Sequence, residues 1–449
     1  MFKLSNFWAI EVKNLFKQTF QENFKELVQA NANFRLLIVT QFYPPDYAAT
    51  GQLIQELSTQ LSKENIQVSV FTGQPGYAFK QKQAPTYEEN GLLRIKRSRA
   101  AQFWSKRVRG KTLNGIFFCV RALLHLLRSA RKNDIVLLTT APPFLSTVGY
   151  IANLLFKLDY VCLVYDLYPE VAIELDIISP EHPITKLWHK LNSLVWQRSK
   201  KIVVLSDTMK ERIVARHPQV ADKISIIHNW ANADWIVPMA KKHNWFARQH
   251  GMDCQFTVLY SGNLGRCHDL ETILGTIKLL KKESVRFVFI GAGAKHDLCR
   301  QTVAELKLNN CIFLPYQDRK NLPYSLTACD LALVSIAPGL EGVVAPSKLY
   351  GIMAAGRAIA AICEPHSYLR NLISDANCGA CFDNNSSESL AEFILTLSNN
   401  PRKAIELGDA GRKYMEQYFT PRIIAKQYSE VLAPTSQSAF VTELSPNNF

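Results

Sequence analysis

Acidic residues are scarce beside basic ones in this chain. Its 38 Asp and Glu face 52 Lys and Arg, a net charge of +14 over 449 residues. That balance suits an anionic membrane surface, nucleic acid or a phosphorylated small molecule. Long apolar runs are missing too. The nearest to a spanning segment, Ile116 to Leu127, is too short and contains Arg121 and His125, so no ordinary transmembrane helix is expected. Lys3, Glu11, Lys13 and Lys17 break any apolar core at the N-terminus, so a secretory leader is not expected there. No G-x-G-x-x-G follows a strand, which argues against a dehydrogenase, and no Gly-Lys-Ser/Thr closes a P-loop. The ten cysteines are scattered. The one close pair, Cys378-Gly-Ala-Cys381, has no second pair to complete a zinc site. It falls in a strand-like segment, where positions three apart point to opposite faces. The cysteines therefore read as small buried apolar residues in a reducing compartment. No Asp-x-Asp closes a strand, so no metal site is expected. Zinc-finger spacing and RNA-binding aromatic motifs are also absent, so nucleic acid is not expected as a partner.

What is present is a regular α/β rhythm. Residues are 47% hydrophobic and 20% charged, enough apolar surface for more than one core. Residues 1–33 place Leu4, Trp8, Val12, Leu15, Phe20, Phe24 and Leu27 at helical spacing and read as an amphipathic extension. From Phe34, short Val/Ile/Leu runs alternate with amphipathic segments such as Gln52–Lys63 and Thr185–Arg198. The runs are Leu36–Thr40, Val68–Thr72, Leu92–Ile95, Ile135–Thr139, Val161–Tyr165, Ile202–Leu205 and Ile224–Ile227. Near-continuous apolar strands between helices predict a parallel sheet covered on both faces. Residues 231–252 are polar and irregular and read as a linker. A second series then begins at Phe256–Tyr260 and runs through Phe287–Ile290, Ile312–Leu314, Leu331–Val334, Ile359–Ile362 and Ala380–Phe382. The expected organisation is a domain over 34–230, a second over 253–420, a closing helix over 421–433 and a polar tail over 434–449. Both domains are expected to be doubly wound and Rossmann-like, facing a central cleft, with ligands outside the carboxyl ends of the strands.

Chemistry is therefore sought in the loops after strands. Residues 341–356 combine an acid, Glu341, a small-residue turn at Gly342 and Val343, then Pro346-Ser347-Lys348 and a helix start. A loop entering a helix leaves N–H groups that attract anions, and Lys348 adds a cation while Glu341 can accept from hydroxyls. Phosphate donors beside a hydroxyl acceptor suit a nucleotide-sugar. After the first strand, Gln41 to Gly51 carries Tyr43, two prolines and a glycine that lets backbone approach closely. Asp166-Leu-Tyr-Pro-Glu170 offers two carboxylates able to orient or deprotonate a hydroxyl, and Asp166 alternatively caps a helix. Ser261-Gly262-Asn263-Leu-Gly265-Arg266-Cys-His268 gives an open backbone with donors beside it, Arg being suited to bidentate phosphate contact. Gly291-Ala-Gly293 reads as a tight turn. Leu314-Pro315-Tyr-Gln317 exposes backbone groups suited to a base edge. Arg94 to Lys111 holds eight basic residues and no acid, with Phe103 and Trp104 inside it, and with the apolar Ile116–Leu127 that follows it makes a patch suited to anionic lipid.

Four of these stretches, in order, resemble retaining glycosyltransferases of the GT-B fold, family 4, in the branch of bacterial capsule, O-antigen and colanic-acid synthesis. They are Phe42-Tyr-Pro-Pro with Gly51, Asp166-Leu-Tyr-Pro-Glu170, Tyr260-Ser-Gly-Asn-Leu-Gly265 and Pro346-Ser-Lys-Leu-Tyr-Gly-Ile-Met-Ala-Ala-Gly356. The resemblance spans about residues 35–432. It implies a hexosyltransferase that needs no cofactor or metal. The donor is a nucleotide diphosphate-sugar held by the C-terminal domain, and the acceptor is a lipid-linked or other saccharide on the N-terminal side, near Tyr43 and Glu170. It implies a protein peripheral to the cytoplasmic face of the plasma membrane through region 94–111. Asn263, Arg266, His268 and Lys348 would contact the diphosphate. Gly51, Gly262, Gly265, Gly342, Val343, Pro315 and Ser347 would line the sugar and nucleotide, with Asp166 and Glu341 catalytic. Retention would follow front-face attack, the leaving phosphate taking the acceptor proton. The second glutamate of the family's paired-acid motif is missing: Gly351 stands just before Ile-Met-Ala, and eight residues after Glu341 is Leu349. Alternatives are a GT-B sugar-nucleotide epimerase and a non-catalytic basic protein that binds membrane or nucleic acid.

Overall fold

The computed structural model describes residues 34–46, 48–75, 83–98, 108–131 and 134–433. The expected N-terminal helix, the polar tail and the Phe103-Trp104 pair lie outside these residues. By compactness the chain divides into two units, Met1–Val161 with Ser429–Phe449, and Cys162–Tyr428.

The first unit is built on β1 (Arg35–Val39), β2 (Gln67–Thr72), β3 (Tyr87–Asn90), β4 (Leu93–Arg97) and β5 (Ile135–Thr139). Their order is β3-β4-β2-β1-β5, followed by β6 (Asp159–Leu163), the strand in which the chain passes to the second unit. β1 is parallel to both β2 and β5, pairing Leu37 with Ser69 and with Val136. The five residues of β5 are all buried, as expected for a strand covered on both faces. α1 (Ala49–Lys63) turns Leu53, Ile54, Leu57 and Leu61 inward, the i, i+4, i+8 spacing of one helical face. α2 (Val108–Ser129) and α3 (Ser146–Phe156) follow, and the end of the helix Pro421–Leu432 also belongs to this unit. The edge pair β3–β4 is antiparallel, and β3 was not expected from the sequence. Its residues Tyr-Glu-Glu-Asn are mostly exposed, so no apolar run marks it. The hairpin alters the basic run. Arg94 donates to Glu89 (2.9 Å), and buried Arg97 pairs with Glu88 while donating to the Pro44 carbonyl (2.7 Å). Two cations assigned to a lipid patch are thus neutralised by acids outside the run.

The second unit holds β7 (Lys201–Val204) and β8 (Ile224–Ile226), in the order β6-β7-β8, and a separate six-stranded sheet. That sheet orders β11 (Cys311–Leu314), β10 (Val285–Ile290), β9 (Phe256–Ser261), β12 (Leu331–Ser335), β13 (Ala358–Ile362) and β14 (Gly379–Phe382), all parallel. β9 lies at the centre, with β10 on one side and β12 on the other. This is the strand-order reversal at which such sheets bind ligands. One core of Val258, Tyr260, Ile273, Phe287, Phe289 and Leu333 packs beneath it. Each fully buried Leu, Ile or Phe contributes about 1.5–3 kcal/mol. α4 (Glu170–Glu174), α5 (Pro183–Arg198) and α6 (Asp207–Arg216) flank β6 to β8. The segment read as an irregular linker contains a short helix, Trp245–Gln249, capped by the Asn244 side chain.

Candidate active site

The loop after β9 is shaped by the loop after β10. Gly262 N–H donates to Ile290 O (2.8 Å) and Leu264 N–H to Ala292 O (2.9 Å). A side chain at Gly291 (φ +136°) would run into the Gly262 carbonyl. The Gly291-Ala-Gly293 turn therefore serves close backbone approach between two loops. Asn263 is exposed, and its side-chain oxygen lies against Gly293, while Gly265 is buried. Arg266 is exposed. Pro315, also exposed, has its carbonyl engaged by Gln317 Nε2 (2.9 Å).

Lys348 opens the seven-residue helix Lys348–Ala354 and reaches this loop. Its Nζ lies 3.7 Å from the centre of the Tyr260 ring, a cation–π contact, and beside Gly262. The ammonium is buried and makes no hydrogen bond. Burial pushes its pKa down to about 7, because no anion repays the loss of water. His268 shares the environment. Its Nδ1 lies 2.8 Å from the Ser335 carbonyl. Burial first, and then the nearby Lys348 charge, lower its pKa to about 3. It is neutral at pH 7, so Nδ1 donates to Ser335 and Nε2 is left as an acceptor. The sequence reading treated His268 as a phosphate donor. In this protonation state His268 offers no ring N–H beyond the one directed at Ser335, and it could donate to a phosphate only on gaining a proton. Tyr260, which floors the lysine, is not marked as a site residue by its type. Its signal was position, the residue preceding Ser-Gly-Asn at a strand end.

Glu341 follows β12 and is wholly buried. Ser206, at the N-cap of α6, lies 3.1 Å from the Thr208 hydroxyl, which donates to Glu341 Oε1 (2.6 Å). Tyr368 N–H approaches the same oxygen (3.4 Å). Oε2 is buried with no partner. An unsatisfied buried polar atom costs ~1–3 kcal/mol, so a hydroxyl brought to it is favoured. The surrounding loop is clamped by Arg212 of α6. Its guanidinium donates to Glu341 O (2.9 Å), to Gly339 O (2.7 Å) and to Glu174 (3.0 Å). Gly342 adopts φ +72°, and a side chain there would strike Thr208 O and Arg212. Thr208 and Arg212 were not found by sequence reading. No motif links residue 208 to a residue 133 positions later.

Asp166 and Val344 form an isolated antiparallel bridge, and Leu167 N–H donates to Val343 O (2.9 Å). This stitches the end of β6 to the Glu341 loop. Burial first, and then the nearby Asp166 carboxylate, raise the pKa of the Cys267 thiol. Burial raises the pKa of Asp166 itself to about 6. The backbone at Asp166 is thus tied to the loop after β12. Ser347 is half-buried and caps nothing with its side chain. Glu170 turns elsewhere, toward His189 of α5 (3.7 Å) and Arg216 of α6 (3.9 Å). Burial raises its pKa and lowers that of His189 to about 4.

Two residues of the first unit behave differently from their expected roles. Tyr43 is buried, and its hydroxyl lies 3.1 Å from Ser58, so it braces its own loop rather than facing an acceptor. A side chain at Gly51 would run into the backbone of Phe42 and Tyr43, so its absence seats α1 on that loop.

Residues 50–235 match Glycosyltransferase Family 4, and residues 243–414 match Glycosyl transferases group 1. Over 331 residues the chain is 26% identical to a probable glycosyltransferase, WbjE, of Pseudomonas aeruginosa, covering 73% of this chain and 81% of that protein. It is 27% identical over 172 residues to a protein named as a colanic acid biosynthesis glycosyl transferase, WcaI, of Escherichia coli K12, covering 38% and 41% of the two chains. Among solved structures it resembles Anabaena HepE in complex with UDP and glucose. There the TM-score is 0.67 and the identity 16%, over 89% of this chain and 99% of that one, a likeness of fold.

Proposed function

Because the chain belongs to the glycosyltransferases whose group 1 and family 4 domains it carries, in the GT-B architecture of polysaccharide synthesis, we propose that it transfers a hexose-type sugar with retention. The donor is a nucleotide diphosphate-sugar and the acceptor a lipid-linked or other saccharide. One observation carries the reading: the Lys348 ammonium is buried on the Tyr260 ring beside a glycine loop, with no anion to answer it. A diphosphate supplies that anion. HepE, of like fold, was solved with UDP and glucose, which favours a sugar-nucleotide over other phosphates.

In this reading Lys348 and Arg266 hold the diphosphate, His268 joining them once protonated. The orphaned oxygen of Glu341 accepts a hydroxyl of the donor sugar. Asp166 accepts a hydrogen bond from the acceptor hydroxyl and orients it. The bond from the anomeric carbon to the leaving phosphate breaks as the acceptor oxygen bonds on the same face, and the acceptor proton passes to the phosphate. Positive charge fixed before reaction stabilises that phosphate. Gly351 leaves the ribose to be held by groups other than a glutamate. The acceptor is drawn from a membrane, with the protein peripheral to its cytoplasmic face.

The test is melting temperature across UDP-, GDP- and dTDP-sugars, since a ligand bound only by the folded state raises it. One base is expected to stabilise, and Lys348→Ala and Arg266→Ala to abolish the shift. Unchanged shifts in both variants would remove the phosphate assignment. Release of free nucleotide diphosphate only when a lipid acceptor is added favours the transferase, and interconversion of sugar-nucleotides without acceptor would favour the epimerase instead.

A further inference from the structure

By spacing, Cys381 pairs with Cys378; in the fold it meets Cys363 instead. Cys378 packs on Gly411 of the helix Pro401–Tyr418, and the Cys381 thiol approaches Leu369 O (3.8 Å) in the helix Tyr368–Asp375. β13 and β14 are parallel, with Ala361 opposite Cys381 and Ile362 opposite Phe382. The pairing runs one residue past β13, since Cys363 N–H donates to Phe382 O (3.0 Å). Side chains two apart on a strand share a face, so Cys363, two beyond Ala361, points to the side of the sheet that Cys381 occupies. The two thiols hydrogen-bond to each other, and both are free.

Their surroundings make them unequal. The bond from Cys381 holds the Cys363 thiol below its ordinary pKa, helped by the Ser367 hydroxyl and the Arg370 charge, against burial. The same bond, and then burial, push the Cys381 thiol up. Cys363 is thus the better thiolate, the nucleophile of thiol chemistry, with half-buried Cys381 set beside it. Cys363 itself is fully buried, which restricts its oxidant to one as small as hydrogen peroxide. The segment that follows it holds the Glu341 loop. Tyr368 N–H approaches Glu341 Oε1, and Glu364 accepts from Gly339 N–H (3.1 Å). Arg370 donates to the Cys363 and Glu364 carbonyls (3.2 and 3.1 Å).

We propose that Cys363 and Cys381 are an oxidisable pair, closed to a disulfide by hydrogen peroxide, and that closing it loosens the hold on Glu341. The Cys363 thiolate attacks one peroxide oxygen and expels hydroxide, which gives a sulfenic acid. The Cys381 thiol then attacks that sulfur, and water leaves. Two thiols lose two electrons and two protons, and the peroxide ends as two waters. Diagonal neighbours on a sheet stand wider than a disulfide prefers, so one backbone must move. Cys363 stands just past a strand end, and its movement carries Glu364 and the Ser367–Tyr368 turn with it. The effect on sugar binding rests on the role proposed above for Glu341; the crosslink itself does not.

The test treats the full reduced chain with a small excess of hydrogen peroxide, blocks the remaining thiols and maps linked peptides by mass spectrometry. A Cys363–Cys381 link is expected, reversed by dithiothreitol, with two of the ten thiols consumed. Cys381→Ser should form no link, and Cys363→Ser should leave Cys381 reduced. On oxidation of the wild type, KM for the best-bound sugar-nucleotide should rise severalfold and Kd for its free nucleoside diphosphate much less. Dithiothreitol should restore both. Cys381→Ser should keep its KM through the same treatment. A Cys378–Cys381 link, a link to any other cysteine, or ten thiols left free overturns the proposal. A Cys363–Cys381 link that leaves KM unchanged overturns the switch. Wild-type mapping needs no variant, so it decides the pair even if neither serine variant folds. It also needs no nucleotide or acceptor, so failure here leaves the donor assignment standing, and failure of that assignment leaves the crosslink to be read.

Discussion

Lys348 carries a cost that only a ligand can relieve. Its pKa stands near 7 in the folded chain against 10.5 in an unfolded one, because burial disfavours the charge. Between those values the unfolded chain holds a proton that the folded chain lacks, so stability rises with pH from about 7 toward 10.5. Lys348→Met removes this penalty. It should raise the melting temperature of the free protein at pH 7 by a few degrees, roughly 1 kcal/mol or more, while abolishing nucleotide-induced stabilisation. Calorimetric melting with and without UDP reads both effects, and a variant less stable than wild type would contradict the account. Asp166 gives the opposite limb. With its pKa raised to about 6, it becomes an ionised acceptor only as pH climbs through that value. Lys348 loses its charge as pH climbs through 7. The kcat/KM profile, which reports the free enzyme, should therefore be bell-shaped with limbs near these two values. Asp166→Asn should flatten the acid limb and lower turnover. A profile keeping its acid limb in that variant would assign the limb elsewhere.

Among elements, the loop after β12 depends on α6. Gly342 is held at φ +72° against Thr208 and Arg212, where a methyl group has no room. Gly342→Ala should cost about 1–3 kcal/mol and shift Glu341, raising KM for the sugar-nucleotide more than the Kd of the free nucleoside diphosphate. Equal effects on both would deny Glu341 its contact with the sugar. Arg212→Ala removes donors from two carbonyls and Glu174, and hydrogen bonds from a charged group contribute ~1.5–3 kcal/mol each. Denaturant unfolding should show a loss of at least 2 kcal/mol. These contacts were not legible in the sequence. Thr208 sits in an amphipathic helix like any other, and its partner is 133 residues away. The strands were legible because buried parallel strands demand unbroken Val/Ile/Leu runs, as in Ile135–Thr139 and Leu331–Ser335. β3 was not, since an exposed edge strand of Tyr-Glu-Glu-Asn needs no apolar residue. Gly51 and Tyr43 were visible as loop residues, but burial inverted their meaning: the tight approach is to the chain's own backbone.

For the molecule as a whole, excess positive charge meets two different demands. On the proposed reading, one is a diphosphate met by the desolvated Lys348 in the second unit, and the other is an anionic membrane surface. They separate by their response to salt, because buried charge is screened far less than surface charge. Between low and physiological salt, vesicle binding should fall severalfold, whereas nucleotide affinity should fall less. The measurement that tests the central claim most directly is titration calorimetry of UDP, GDP and dTDP at pH 8, each in two buffers of different ionisation enthalpy. The account predicts that the best-bound nucleotide draws nearly one proton onto the wild-type protein, as Lys348 regains its charge, and that Lys348→Met loses both the uptake and most of the affinity. Tight binding that takes up no proton and survives that substitution, or no binding by any of the three, would contradict it.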